Sequence, residues 1–105
     1  MKKKFISFGN TSSERFYKNI TRIIKEANDF EYFDEIIGFT EKDLINDEDF
    51  WKNNENFVIT NPRGFGYWIW KPHIINKELE KMEEGDILIY ADSSCEINKM
   101  VKNIF

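Results

Sequence analysis

The first third of the chain pairs a short apolar run with a longer amphipathic segment. Residues 4–8 (Lys-Phe-Ile-Ser-Phe) have the composition of a strand, and Gly9 and Asn10 interrupt it. The spacing from Thr11 to Glu14 matches a capping box, so we expect a helix to begin there. Its predicted buried face carries apolar residues at helical spacing: Phe16, Ile20, Ile23, Ile24 and Ala27. The pattern predicts a strand followed by a helix that covers a sheet.

Two later apolar runs predict two more buried strands. The first includes residues 35–39 (Glu-Ile-Ile-Gly-Phe), and the second, residues 86–92, ends in an aspartate, Asp92. Between them, Pro72 suits the first turn of a helix, which we expect to end at Gly85. The predicted apolar face of that helix is Ile75, Leu79 and Met82.

The middle of the chain has a weaker pattern. Thr40 with Asp43 resembles a helix cap, and residues 46–56 are polar apart from Phe50 and Trp51, which indicates a loop or a short helix. Residues 57–59 (Phe-Val-Ile) predict a small extended segment. Turn-forming residues 61–64 follow and lead into an aromatic block at residues 65–70.

The order β-α-β-(α)-α-β predicts one α/β domain over residues 1–105, with helices on both faces of a sheet. We expect parallel strands near Phe5, Ile36 and Ile87, because crossover helices separate them. Ligands of such sheets bind outside the carboxyl ends of the strands. Residues 9–11, 39–40 and 92–94 are therefore expected to meet at one site.

Charge and composition narrow the classes of partner that the protein could bind. The 105-residue chain has a formal net charge of −4, which argues against a nonspecific nucleic-acid binder. Any phosphate site must therefore be local. No apolar run approaches the ~20 residues of a membrane span, and we expect no signal peptide either. The single cysteine, Cys95, cannot form an internal disulfide, which predicts a reducing, cytoplasmic location.

Two motifs resemble a known family. Residues 64–72 (Gly-Phe-Gly-Tyr-Trp-Ile-Trp-Lys-Pro) and residues 85–98, which contain Tyr90, Asp92 and Cys95, resemble the GYWxWKP and YxDxxC motifs of GT-A-type glycosyltransferase-like proteins of bacteria and viruses. The resemblance implies a Rossmann-like fold with a short, mainly parallel sheet flanked by helices. Those proteins are longer, so the chain is expected to be their N-terminal, nucleotide-sugar-binding half, with acceptor contacts supplied elsewhere.

The resemblance also implies a site. GT-A enzymes often hold Mn²⁺ or Mg²⁺ against the donor diphosphate with an Asp-x-Asp motif; Asp92 matches its first aspartate, and Ser94, a weaker ligand, stands at the second. The alternative for Asp92 is a cap at the end of a strand. The predicted donor-binding residues are Gly9, Asn10, Thr11, Arg63, Gly66, Tyr67, Trp68, Trp70, Lys71, Asp92 and Ser94.

Several of these residues have a structural alternative. Lys71 and Arg63 are the candidates for meeting a diphosphate, although either could be a solvated loop residue. Each ring of the aromatic block could be core or ligand wall, and we expect one of Trp68 and Trp70 to line the cleft while the other packs inward. His73 and Cys95 lack partners at catalytic or metal-ligand spacing. We expect a helix-start histidine and a cysteine in structural packing.

Three classes of function follow. The first is sugar transfer from a nucleotide-diphosphate sugar to an unidentified glycan or other acceptor. The second is a truncated module that binds the nucleotide without transfer, which Ser94 favours. The third is an interaction domain that forms homo-oligomers through an apolar end at Val101, Ile104 and Phe105.

Overall fold

A strand near the amino terminus forms the centre of a parallel sheet. The computed structural model describes residues 1–11, 13–63, 66 and 68–97. Strand β1 (Lys3–Gly9) pairs in parallel with β2 (Glu35–Thr40) on one side and with β3 (Ile87–Tyr90) on the other. Phe5 is in register with Ile36 and with Ile89. The predicted parallel sheet is therefore confirmed, with β1 between its two partners.

Helix α1 (Glu14–Phe30) covers one face of this sheet. Its buried residues Ile20, Ile23 and Ala27 pack with Phe5 of β1. Gly9 allows the close approach, because a Cβ atom there would lie 2.6 Å from Cβ of Ile20. The prediction for Phe16 was wrong: its side chain is 46% exposed, although its backbone lies beside Gly9 at the end of β1.

In the described part of the chain, three helices cover the opposite face: α2 (Glu41–Ile45), α3 (Glu48–Thr60) and α4 (Trp70–Glu80). Successive side chains of a strand point to opposite faces, so Ile6 and Phe8 of β1 turn away from α1. They form a core with residues of these helices: Leu44, Phe50, Trp70 and Ile74. Helices therefore flank the sheet on both faces, as expected for an α/β fold.

Two of the predicted caps had different outcomes. The box between Thr11 and Glu14 does not form, because α1 begins after Ser13 and Thr11 binds the Glu41 carboxylate instead. The cap at Thr40 is confirmed: its backbone N–H donates to Asp43 Oδ2 at 2.8 Å.

The extended segment predicted at residues 57–59 is wrong, because these residues belong to α3. Asp47 caps this helix by accepting a hydrogen bond from Phe50 N–H at 3.2 Å. The segment 48–60 contains no glycine or proline, and a helical conformation buries Phe50 and Val58 together. Burial of that face outweighed the strand preference of three consecutive apolar residues.

Helix α4 ends earlier than predicted, and its buried face only partly matches the prediction, because Ile75 packs against the core and Leu79 does not. Its last residue is Glu80, whereas Gly85, at φ +93°, lies in the turn before β3. The buried residues are Trp70, Ile74 and Glu78, and Leu79 is 49% exposed. Glu78 faces inward because it forms a buried ion pair with Lys4 of β1.

Some predictions fall on other parts of the chain. Gly64, Phe65, Tyr67, Asn98 and the apolar end at Val101, Ile104 and Phe105 lie outside the described residues. Within the described part, no helix is both long and apolar enough to cross a membrane.

Candidate functional site

A cleft of about 520 Å³ lies at the carboxyl ends of β1 and β3. The chain runs from β1 outward to β2 and then crosses back to β3 on the other side of β1. In open parallel sheets, such a reversal of strand order leaves a crevice at the carboxyl edge that binds ligands. The predicted residues that line this cleft are Gly9, Asn10, Arg63, Trp68, Trp70, Lys71, Asp92 and Ser94.

Asp92 and Lys71 form the charged centre of the cleft. Tyr90 ends β3 on the face covered by α4, and because side chains alternate along a strand, Asp92 continues toward the same face. Lys71, in the first turn of α4, places Nζ 3.0 Å from Asp92 Oδ1. The Tyr90 hydroxyl donates to the same oxygen, also at 3.0 Å. The side chains of Lys71 and Asp92 are 34% and 53% exposed, so a ligand can reach both.

The aromatic ring of Tyr90 lies against the pair formed by Lys71 and Asp92. Lys71 Nζ lies 5.2 Å from the centroid of this ring, a distance at which a cation is attracted to the aromatic face. Burial raises the pKa of Tyr90 well above its usual value, and the Asp92 charge and hydrogen bond raise it further. The hydroxyl therefore stays protonated and acts as a donor to Asp92.

The two tryptophans divide between core and cleft. Trp70 is 4% exposed and stacks on Phe8 with ring centroids 3.9 Å apart, so it packs inward and only borders the cleft. Trp68 is 47% exposed and lines the cleft. Its φ of +62° is uncommon for a bulky residue. This division agrees with the expectation that one of the two tryptophans packs inward while the other lines the cleft.

Two predicted site residues do not line the cleft. The Thr11 N–H donates to Glu41 Oε2 at 2.7 Å, and its hydroxyl bonds the other carboxylate oxygen. Burial acts to raise the pKa of Glu41, but the hydrogen bonds from Thr11 outweigh it, and the pKa is lowered. Gly66 is buried at φ +84°, where an added Cβ would lie 2.9 Å from Cγ2 of Val58. Thr11 thus links the segment after β1 to α2, and Gly66 packs against α3.

The carboxyl end of β2, residues 39–40, was also expected at the site. Thr40 is in register with Gly9, yet neither Phe39 nor Thr40 lines the cleft. Phe39 instead packs against the core beneath α2, α3 and α4. The cleft therefore belongs to β1 and β3, the two strands on either side of the reversal.

The cleft includes residues that sequence reasoning missed. They are Phe8, Phe16, Asn19, Pro62 and Tyr90, whereas Ser93, which also lines the cleft, belongs to the expected segment 92–94. Tyr90 and Phe8 could have been found, because each lies at the carboxyl end of a predicted strand. Nothing in the local pattern separates Phe16 from the core positions of α1. Its place depends on how α1 packs beside the carboxyl end of β1.

Among the described residues that line the cleft, cationic groups exceed carboxylates. Arg63 and Lys71 face the cleft with one carboxylate, Asp92, whereas the whole chain has a net charge of −4. Arg63 is exposed. A locally positive cleft in an acidic protein favours an anionic ligand over a polyanion that would cover a broad surface.

The protein oxygens available to a metal ion are few. Among the described residues, no group of three or more His, Cys, Asp and Glu side chains could hold an ion. Asp92 and Ser94 provide one carboxylate and one hydroxyl at the cleft. Mg²⁺ is often held by one or two carboxylates together with substrate phosphates. The donor set thus fits a divalent ion only where a diphosphate supplies further oxygens.

Comparisons with known proteins do not assign the chain to a family. No family model, no curated protein and no solved structure matches it.

The remaining predicted residues have structural surroundings. His73 Nε2 lies 2.7 Å from Asp47 Oδ2, between α4 and the start of α3. Cys95 is exposed, so the packing role expected for it is wrong: the loop after β3 turns its side chain outward. Glu96 is exposed and does not line the cleft.

Proposed function

We propose that the cleft binds a nucleotide-diphosphate sugar and that the chain is the Rossmann-like, donor-binding half of a GT-A-type glycosyltransferase. Transfer to a glycan or other acceptor then requires acceptor contacts supplied by a further part. One observation carries the proposal: the motif residues Lys71 and Asp92 contact each other in a cleft at the carboxyl edge of a parallel sheet.

The chemistry of the donor explains the residues. Negative charge develops on the diphosphate as the sugar leaves, and a cation placed there beforehand stabilises it. Lys71 is partly exposed and its pair with Asp92 is open to solvent, so exchanging the carboxylate for a phosphate costs little. Arg63 provides a second cation, with the planar group that binds phosphate in a bidentate manner.

The aromatic part of the lining suits the uncharged parts of such a donor. The exposed rings of Phe16 and Trp68 offer apolar faces for a base or a sugar. A divalent ion at Asp92 and Ser94, when bound, supplies additional neutralisation of the diphosphate. The free, exposed Cys95 suits a reducing compartment, so we propose a cytoplasmic location.

A second candidate is a module that binds the nucleotide without catalysing transfer. Serine occupies the position of the second aspartate, and Lys71 already neutralises Asp92. Both features favour binding that does not require a metal ion. Homo-oligomerisation through the apolar end stays a prediction.

Calorimetric titration with UDP-, GDP- and dTDP-sugars, with and without Mn²⁺, tests the proposal. We expect one donor class to bind, and Asp92→Asn to lower its affinity in Mn²⁺ by about tenfold, consistent with loss of a charged contact worth ~1.5 kcal/mol. Glu96→Gln is the matched control, because this exposed carboxylate is on the same loop but outside the cleft.

The outcomes separate the candidates. Binding that strengthens in Mn²⁺ and depends on Asp92 supports donor binding for transfer. Binding that ignores Mn²⁺ supports the second candidate. Failure of every nucleotide sugar to bind the folded protein would overturn both.

A further inference from the structure

The loop after β3 carries the site residues, yet the sheet holds little of it. The sheet holds the loop at Ala91, whose N–H donates to Ile6 O at 3.2 Å and whose carbonyl accepts from Ser7 Oγ at 2.7 Å. Beyond it, Cys95 N–H donates to Asp92 O at 2.9 Å and closes a turn around Ser93 and Ser94. A turn of this kind needs further contacts if Asp92 is to keep one position in the cleft.

Arg22 provides those contacts. It belongs to α1, the helix on the face of the sheet opposite to α4. Its Nη2 donates to the backbone carbonyl of Ser93 at 2.9 Å and to that of Cys95 at 2.7 Å. The two carbonyls flank Ser94, and one guanidinium group joins them. Both bonds come from Nη2, which leaves Nη1 of the same planar group for a further partner; a lysine has no second nitrogen for that contact.

Glu26, one turn further along α1, orients the guanidinium and also holds the loop. Its Oε2 accepts from Arg22 Nη1 at 2.7 Å, and its Oε1 accepts from Ile97 N–H at 2.9 Å. Burial acts to raise the pKa of Glu26, but the hydrogen bonds from Ile97 and Arg22 outweigh it and lower the pKa. The carboxylate is therefore charged at neutral pH.

A neighbouring ion pair on the same helix shows what an ordinary pair looks like. Lys25 and Asp29 have the same spacing and a distance of 2.9 Å, but their side chains are 78% and 44% exposed. Those of Arg22 and Glu26 are 34% and 28% exposed, because the loop covers them. The spacing in sequence is equal, and only the pair of Arg22 and Glu26 is shown to reach the loop.

We propose that Arg22, oriented by Glu26, is a positioning residue that fixes the turn presenting Asp92 and Ser94 to the donor. The assignment rests on the proposed function, because it concerns the same cleft. Arg22 does not line the cleft itself and acts through the backbone of the loop. Outer contacts that orient ligand-binding side chains typically change metal affinity by about 10–100-fold when they are removed.

Hydrogen exchange tests the contact without any ligand. In Arg22→Gln we expect faster exchange at the amides of Cys95 and Ile97, with exchange in β1 unchanged. Glu26→Gln should show the same effect more weakly, and Lys25→Gln should match the parent. Unchanged exchange of the loop amides in a folded Arg22→Gln protein would overturn the assignment.

Binding then separates positioning from a merely structural role. We expect Arg22→Gln to weaken the Mn²⁺-dependent affinity for the nucleotide sugar by about tenfold, and Arg22→Lys to recover part of it. In the Asp92→Asn background, Arg22→Gln should cost little more, because both changes remove the same contribution. Full additivity in this cycle would assign Arg22 to stability alone.

The two proposals fail in different ways. If the parent binds a donor and Arg22→Gln binds it equally well, only the positioning role is overturned. If the parent binds no nucleotide sugar, the proposed function falls and the positioning role falls with it, and the exchange data still show whether Arg22 orders the loop.

Discussion

Helix α4 pairs two of its lysines with aspartates from other elements, and the two aspartates differ in burial, although Lys77 is 53% exposed and Lys71 is 34% exposed. Lys77 Nζ lies 2.7 Å from Asp47 Oδ2, and the Asp47 side chain is only 11% exposed. Lys71 Nζ lies 3.0 Å from Asp92 Oδ1, and Asp92 is 53% exposed in the cleft. The same chemistry therefore occurs in a covered and in an open setting.

The partners of the two aspartates differ accordingly. Asp47 accepts bonds from Lys77, His73 and the Phe50 N–H, so one carboxylate joins α4 to the start of α3. The hydrogen bonds from Lys77 and His73 hold its pKa well below the usual value. Asp92 has an exposed pair, and such pairs contribute about 0–1 kcal/mol. Burial of Asp47 makes the first carboxylate structural, and exposure of Asp92 leaves the second free to exchange partners.

The largest expected effect is on stability, at Asp47. Asp47→Ala should lower the free energy of unfolding by about 2 kcal/mol, because it removes a helix cap together with a partly buried ion pair. Thermal unfolding should show a fall of roughly 10 °C. Asp92→Ala, the matched variant, should change the free energy of unfolding by less than about 0.5 kcal/mol.

An Asp47→Asn variant sharpens this result. Asparagine is as good a cap as aspartate, so it isolates the charge, and the loss should be smaller than for Asp47→Ala. Equal destabilisation by Asp47→Ala and Asp92→Ala would remove the distinction between the two pairs.

The two lysines should divide in the same way as their aspartate partners, with Lys71 affecting binding and Lys77 affecting stability. Lys71→Met is expected to weaken nucleotide-sugar binding by about fivefold, or ~1 kcal/mol, through loss of a charge-assisted contact, while the unfolding midpoint stays near that of the parent. Lys77→Met should lower the midpoint and leave binding unchanged. Calorimetry and urea unfolding of both variants decide this, and a binding defect in Lys77→Met alone would contradict it.

The smallest expected effect is the dependence of stability on pH. The pKa of Asp47 is lower in the folded state, so its stabilisation is complete above the ordinary value of 3.8 and is lost as pH falls from there toward the folded pKa. Urea unfolding of the parent and of Asp47→Asn should differ at pH 7, and the difference should shrink by up to about 1 kcal/mol toward pH 2.5. A constant difference over this range would show that the Asp47 charge contributes nothing.

Local patterns determined the sheet and part of the cleft. The apolar runs around Phe5, Ile36 and Ile87 predicted parallel strands, because each run is complete within a few residues and the segments between them are long enough for crossover helices. Strand ends then pointed to Gly9 and Asp92, and the motif resemblance to Lys71. These predictions depend only on residues that are close together in the sequence, so a local sequence pattern is sufficient to make them.

Tertiary structure decided everything that depends on which surfaces meet. Residues 57–59 became part of α3, where Val58 is buried beside Gly66, and Phe16 reached the cleft because α1 packs beside the end of β1. Arg22 and Lys25 have the same kind of acidic partner at the same spacing, and only the position of the loop after β3 separates their roles. Hydrogen bonds and burial between distant segments arise from packing, so a local sequence pattern does not contain them.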